Sequence, residues 1–95
     1  MNKVELSGRA YDIVVVEEGC CVFDLEFQDD KFITIGCIGS LAVKFSKVFT
    51  DGMKMDVSGE ICIDTEEEFI PYLGDEEIFI KAKEISIIQI RRNAL

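Results

Sequence analysis

Ninety-five residues, 48% of them hydrophobic, with 19 acids against 10 bases and a net charge of -9, describe one acidic globular domain and exclude a disordered chain. No apolar run approaches the roughly 18 residues that a membrane-crossing helix needs, and the opening MNKVELSGRA enters an alternating pattern without a signal-like apolar core, so a cytoplasmic protein away from membranes is expected. The negative balance opposes a polyanion over the surface as a whole and leaves nucleic-acid recognition only to a locally basic face.

Lys3 to Val16 alternates as one long strand, with Val4, Leu6 and Gly8 on one side, and Gly8 is the natural place for a bulge or bend. Glu17-Glu18-Gly19 reads as a turn. In CCVFDLEFQ the residues Cys21, Phe23, Leu25 and Phe27 alternate against Val22, Asp24, Glu26 and Gln28, a half-buried strand. Asp29-Asp30 is a tight turn and KFITIGCI a third strand, so residues 20–38 are predicted to form an antiparallel hairpin.

The period then changes. Ser40 is placed to cap a short helix in which Leu41, Phe45, Val48 and Phe49 form one apolar stripe, and Gly52 suits the left-handed conformation beyond its end. Alternation resumes with Met53, Met55, Val57, Gly59, Ile61 and Ile63 inward and Lys54, Asp56, Ser58, Glu60, Cys62 and Asp64 outward, the fourth strand. Glu66-Glu67-Glu68, Pro71 and Gly74-Asp75 read as a loop, Glu77 to Ile90 as the fifth strand, and residues 91–95, RRNAL, as a basic tail that frays.

Five strands with one helix between the third and fourth is the order of an OB-fold, a Greek-key β-barrel in which the helix plugs one open end. The expected architecture is therefore all-β, one OB-fold domain over residues 1–90 followed by the short tail. No histidine is present, no base accompanies Cys20, Cys21, Cys37 or Cys62, and no C-x-x-C or calcium-loop spacing occurs, so neither catalysis nor a cofactor or metal is expected. Buried thiols are the expected state of the cysteines.

Two segments resemble a known family. NKVELSGRAYD is similar to the first strand of bacterial single-stranded DNA-binding proteins, with the pattern N-K-V-x-L-x-G followed closely by D. FITIGCIGSLAVKFSKVFTDGMKMDVSGEI is similar to their central stretch, where a strand leads to G-K-L-A, a helix ending in K-G and a strand closing with V-x-G-x-L. The chain departs from that pattern in places: Ile38 stands where an aromatic is frequent, Ser40 where G-K-L-A has its lysine, and Cys62, Asp64 and Glu66 where basic and aromatic residues are usual. The resemblance implies an OB-fold that stacks the bases of a single strand on exposed aromatics beside basic residues, usually as an oligomer.

The outward positions of the expected strands supply the candidate face. Phe32, where the family commonly has a stacking tryptophan, is joined by Thr34 on the third strand, Phe79, Lys81 and Lys83 on the fifth, Lys54 on the fourth, and Arg9 with Tyr11 on the first. Single-stranded DNA, or RNA by the same chemistry, is the expected ligand, bound by a homodimer or homotetramer in replication, recombination or transfer of DNA. The competing reading is an OB-fold module that has lost nucleic-acid binding and pairs with itself or with another protein, Phe32 and Phe79 then being interface residues. Asp56, Glu60, Asp64 and Glu66 to Glu68 are expected to form a solvated acidic face.

Overall fold

The computed structural model describes residues 3–15, 19–63 and 78–89. Five strands and one helix follow in the order β1 (Lys3–Val15), β2 (Cys20–Gln28), β3 (Lys31–Ile38), α1 (Gly39–Val48), β4 (Met53–Ile63) and β5 (Ile78–Gln89). They form a closed barrel in the order β1-β2-β3-β5-β4, with the single helix between β3 and β4, as an OB-like fold requires. The turn at Glu17-Glu18, Asp64, the stretch Glu66 to Glu68, Pro71, Gly74-Asp75 and the 91–95 tail lie outside the described residues.

β1 is shared between two neighbours. Lys3 to Ala10 pairs with β4, Arg9 to Val15 pairs with β2, and only Arg9 and Ala10 have partners on both sides. Gly8 sits where the strand changes partners, and a Cβ there would lie 2.2 Å from the Glu26 carbonyl oxygen. Its role is close approach of β2 rather than a bulge. The bulge falls further along, between Tyr11 and Val14, with Asp12 at φ 58. Gly59 makes the same allowance on β4, its absent Cβ pointing at the Lys81 carbonyl at 2.2 Å, beside the register shift at Ser58/Gly59.

The alternating residues of every strand meet inside. Ala10, Cys21, Phe23, Leu25, Ile35, Cys37, Met53, Met55, Val57, Ile80 and Ala82 form the barrel core, and Ala42 with Phe45 of α1 closes it. Phe23 fastens the helix, its ring 4.8 Å from that of Phe45 and 6.3 Å from that of Phe49, with Phe45 and Phe49 edge to face at 5.6 Å. Such pairs contribute about 0.5–1.5 kcal/mol each beyond their burial. The helix face differs from the expected stripe in two positions: Ala42 is buried and Val48 is exposed, because Ala42, Phe45 and Phe49 at i, i+3 and i+7 are the set turned to the core.

The ends of the helix also differ. It begins at Gly39, so its N-cap position is Ile38, which makes no side-chain cap, and Ser40 is already inside the first turn. Phe49, in extended conformation, ends the helix, and Gly52, at φ 87, serves the following turn. On β4 the burial of the inward series stops at Gly59. Ile61 stands on the same face as its partner Ile80 but is exposed, since it lies past Glu60, the last β4 residue with a described β1 partner. No helix among the described residues is long and apolar enough to cross a membrane.

Two substitutions test this account by chemical denaturation. Gly59→Ala forces a Cβ against a backbone oxygen and is expected to cost about 2 kcal/mol or more. Ser40→Ala, which removes no cap, is expected to change stability by less than about 0.5 kcal/mol, against the roughly 1 kcal/mol typical of a true N-cap.

Candidate nucleic-acid interface

The register places two transverse rows on the outer wall of the barrel. One runs Lys54–Arg9–Glu26–Phe32 across β4, β1, β2 and β3. The other runs Tyr11–Asp24–Thr34–Phe79–Cys62 across all five strands. Directly opposed residues of paired strands stand on the same face, so the six strand positions Arg9, Tyr11, Phe32, Thr34, Lys54 and Phe79 do share one wall. Burial separates them.

Phe32 is 52% exposed and meets Tyr11 edge to face, the ring centroids 6.3 Å apart. Arg9 and Lys54, both exposed, share the row of Phe32, with Glu26 between Arg9 and Phe32. The Arg9 guanidinium donates to the Gly52 carbonyl at 2.8 Å, so the turn after α1 holds this cation in place and leaves its other donors outward. Arg9, Lys54, Gly8, Glu26, Phe27, Gln28 and Asp29 line a cleft of about 220 Å³.

Phe27 belongs to this site although its alternation with Leu25 placed it in the core. A register shift between Glu26 and Gln28 makes Phe27 the extra residue at the end of the hairpin, and a bulged residue is turned out of the alternation; it is partly exposed in the cleft. The sequence signal is the two-residue Asp29-Asp30 turn, with Asp30 at φ 60.

Phe79 and Thr34 are corrections. Both point outward as expected, yet Phe79 is 0% and Thr34 6% exposed, and neither offers a surface to a ligand. Phe79 packs with Val22 in a second apolar cluster on the outer wall, bordered by Cys20, Ile38 and Cys62. The Thr34 hydroxyl donates a long 3.5 Å bond to Asp24 Oδ1. Lys81 is half-buried in the rung between Gly36 and Glu60. Lys83 is exposed at the register shift opposite Ser58/Gly59, on a different rung from Phe32.

Acids divide the surface. The outer wall of β1, β4 and β5 carries a groove of about 420 Å³ lined by Glu5, Ser7, Asp56, Ser58, Glu84 and Ser86, where the Ser7 hydroxyl donates to Asp56. Three carboxylates without a lysine or arginine among the lining residues repel a phosphate backbone, which leaves the β1–β2–β3 wall as the place for one. That wall is not free of acids. The Glu26 carboxylate accepts the Asp30 amide at 3.1 Å, which turns it toward the hairpin end, and Asp51 accepts the Asp12 amide at 3.0 Å.

Asp24 stands between Tyr11 and Thr34 in its row. Burial first, and the Asp12 charge second, push its carboxyl above the ordinary 3.8, while the Thr34 hydroxyl pulls the other way. Among the described residues no group of histidine, cysteine or acidic side chains is arranged to hold a metal ion. No protein-family model matches the chain, and no curated protein matches it.

The pH dependence of stability follows from Asp24. A carboxyl whose folded value is raised disfavours the fold when ionised, so its contribution is lost as pH rises through 3.8 toward the folded value and is regained on acidification. Asp24→Asn, which keeps an acceptor for Thr34, is expected to raise stability at pH 7 in urea titrations and to leave it unchanged at a pH where Asp24 is already protonated.

Proposed function

We propose that the barrel binds single-stranded nucleic acid, DNA in the first instance, across the outer wall of β1, β2 and β3. The observation that carries this reading is the exposed Phe32 ring, edge to face with the half-buried Tyr11 and in the same row as Arg9 and Lys54, across Glu26. An aromatic face stacks any base, contributing about 1–3 kcal/mol per base, while adjacent cations follow the backbone. Phe27 at the Arg9–Lys54 cleft extends the platform. The resemblance of residues 2–12 and 32–61 to bacterial single-stranded DNA-binding proteins supports the same reading.

The site is small and set in an acidic body. Few cations lie within reach of Phe32, so one barrel neutralises few phosphates, and a slope of log K on log salt of about -0.7 per neutralised phosphate gives a shallow salt dependence. A homo-oligomer that presents two or four such platforms to one strand raises affinity through effective concentration without any further contact. In this reading the protein serves DNA replication, recombination or transfer from the cytoplasm.

The acidic groove over β1, β4 and β5 favours a second reading, a barrel that has given up nucleic acid and uses Phe32 as the centre of a contact with itself or with another protein. Aromatic residues dominate such interfaces.

Fluorescence anisotropy with a labelled oligo-dT separates the two. Binding at micromolar protein and about 50 mM salt, weakened roughly tenfold by Phe32→Ala with the circular dichroism spectrum unchanged, supports the nucleic-acid reading. Lys54→Ala is expected to weaken binding to all sequences alike and to reduce the salt slope by about 0.7. Absence of binding, together with loss of an oligomer on size exclusion for Phe32→Ala, overturns it in favour of the interaction module.

A further inference from the structure

The four cysteines divide between two faces. Cys20 and Cys62 border the outer cluster around Phe79, while Cys21 and Cys37 are inside the barrel core at 0% exposure. Cys21 and Cys37 are also directly opposite each other in the antiparallel β2–β3 ladder, and both are present as thiols. Opposed residues of such a ladder have Cα atoms about 4.5 or 5.5 Å apart, within the roughly 4.4–6.8 Å that a disulfide spans.

We propose that Cys21 and Cys37 form a facultative disulfide across the β2–β3 hairpin, a covalent lock that an oxidising small molecule closes and a reducing thiol opens. The register already supplies the geometry, and both side chains enter the same interior, so the bond forms without exchange of partners or strand slip. The inference is independent of what the outer wall binds.

The position of the pair gives it a route to solvent. Among the described residues, the Cys20–Ile38 rung and the Gly39 amide to Gly19 carbonyl bond, 2.8 Å, lie between Cys21–Cys37 and the open end of the hairpin. Ladder ends open locally at far less cost than global unfolding. Opening of this end, where Cys21 is also paired with Val15 of β1, is the proposed route of an oxidant to the thiols.

The two sulfurs are also differentiated. A hydrogen bond from the Cys37 thiol lowers Cys21 below the ordinary thiol range against the opposing effect of burial, and that same bond followed by burial raises Cys37. In the proposed exchange the Cys21 thiolate attacks first. It displaces one thiolate from a small-molecule disulfide to give a mixed disulfide. The Cys37 sulfur, losing its proton, then attacks the Cys21 sulfur and releases the second thiolate. Two protein thiols are oxidised, the small disulfide is reduced, and its two released thiolates take up the two protons that Cys21 and Cys37 lose.

The test uses the full chain. Incubation with excess oxidised glutathione, alkylation of remaining thiols, digestion and mass spectrometry are expected to show a peptide linked through Cys21 and Cys37, with Cys20 and Cys62 alkylated. The oxidised protein is expected to melt about 5 °C or more above the reduced one, and dithiothreitol is expected to reverse both changes. A Cys20→Ser/Cys62→Ser variant is expected to form the same link; if that variant does not fold, the map of the unsubstituted chain decides. A link between any other pair, no link while the fold persists, or a lower melting temperature on oxidation overturns the proposal.

Discussion

The parallel contact between β3 and β5 joins only Thr34, Ile35 and Gly36 to Phe79, Ile80 and Lys81, yet it closes the barrel. Without it the β2–β3 hairpin and the β4–β5 pair would be connected only through β1, and two strand edges would present open amides and carbonyls to solvent. Three residues supply few hydrogen bonds, so side chains must hold the seam on both of its faces. Ile35 meets Ile80 within the core, and Phe79, opposite Thr34, is buried outside with Val22. A residue committed to closure in this way has no face left for a base.

Closure also explains the distribution of charge. β4 and β5 pair over a long ladder, Lys54 to Ile63 against Gln89 to Ile78, and with the first half of β1 they make a wall whose outward residues include Glu5, Asp56 and Glu84. The wall formed by the second half of β1 with β2 and β3 instead presents the exposed Phe32 and half-buried Tyr11 on the same face as Arg9 and Lys54. β1 belongs to both because it changes partners over Arg9 and Ala10, next to Gly8, where no side chain could pass the Glu26 carbonyl. One glycine thus sets the boundary between a surface that repels phosphate and one that can approach it.

The interior is organised from the same hairpin. Phe23 holds α1 through Phe45 and Phe49, and its neighbour on the same face, Cys21, is set against Cys37 one step nearer the helix entrance at Gly39. The lid of the barrel, the candidate platform and the thiol pair all depend on β2 and β3 keeping their register. That register is specified by the alternation of Cys21, Phe23 and Leu25, since a slip by one residue would turn the whole set to the outer wall.

Much of the fold was legible in the chain because burial in a small barrel is written as period two and burial under a helix as a longer period. The five strands, the hairpin at Asp29-Asp30 and the single helix after Gly39 follow from those periods and from glycine placement. Alternation also assigned Phe32, Phe79, Tyr11 and Lys54 to the outer wall. It could not say which outer residues water reaches, because a strand residue knows its own face but not what lies across it. Pairing across the seam buried Phe79 and Thr34, two register shifts turned Phe27 outward and displaced Lys83, and packing on Phe23 chose Ala42 over Val48. The periods belong to local stereochemistry and so are determined by the sequence alone; exposure depends on neighbours distant in the chain, and only the closed barrel decided it.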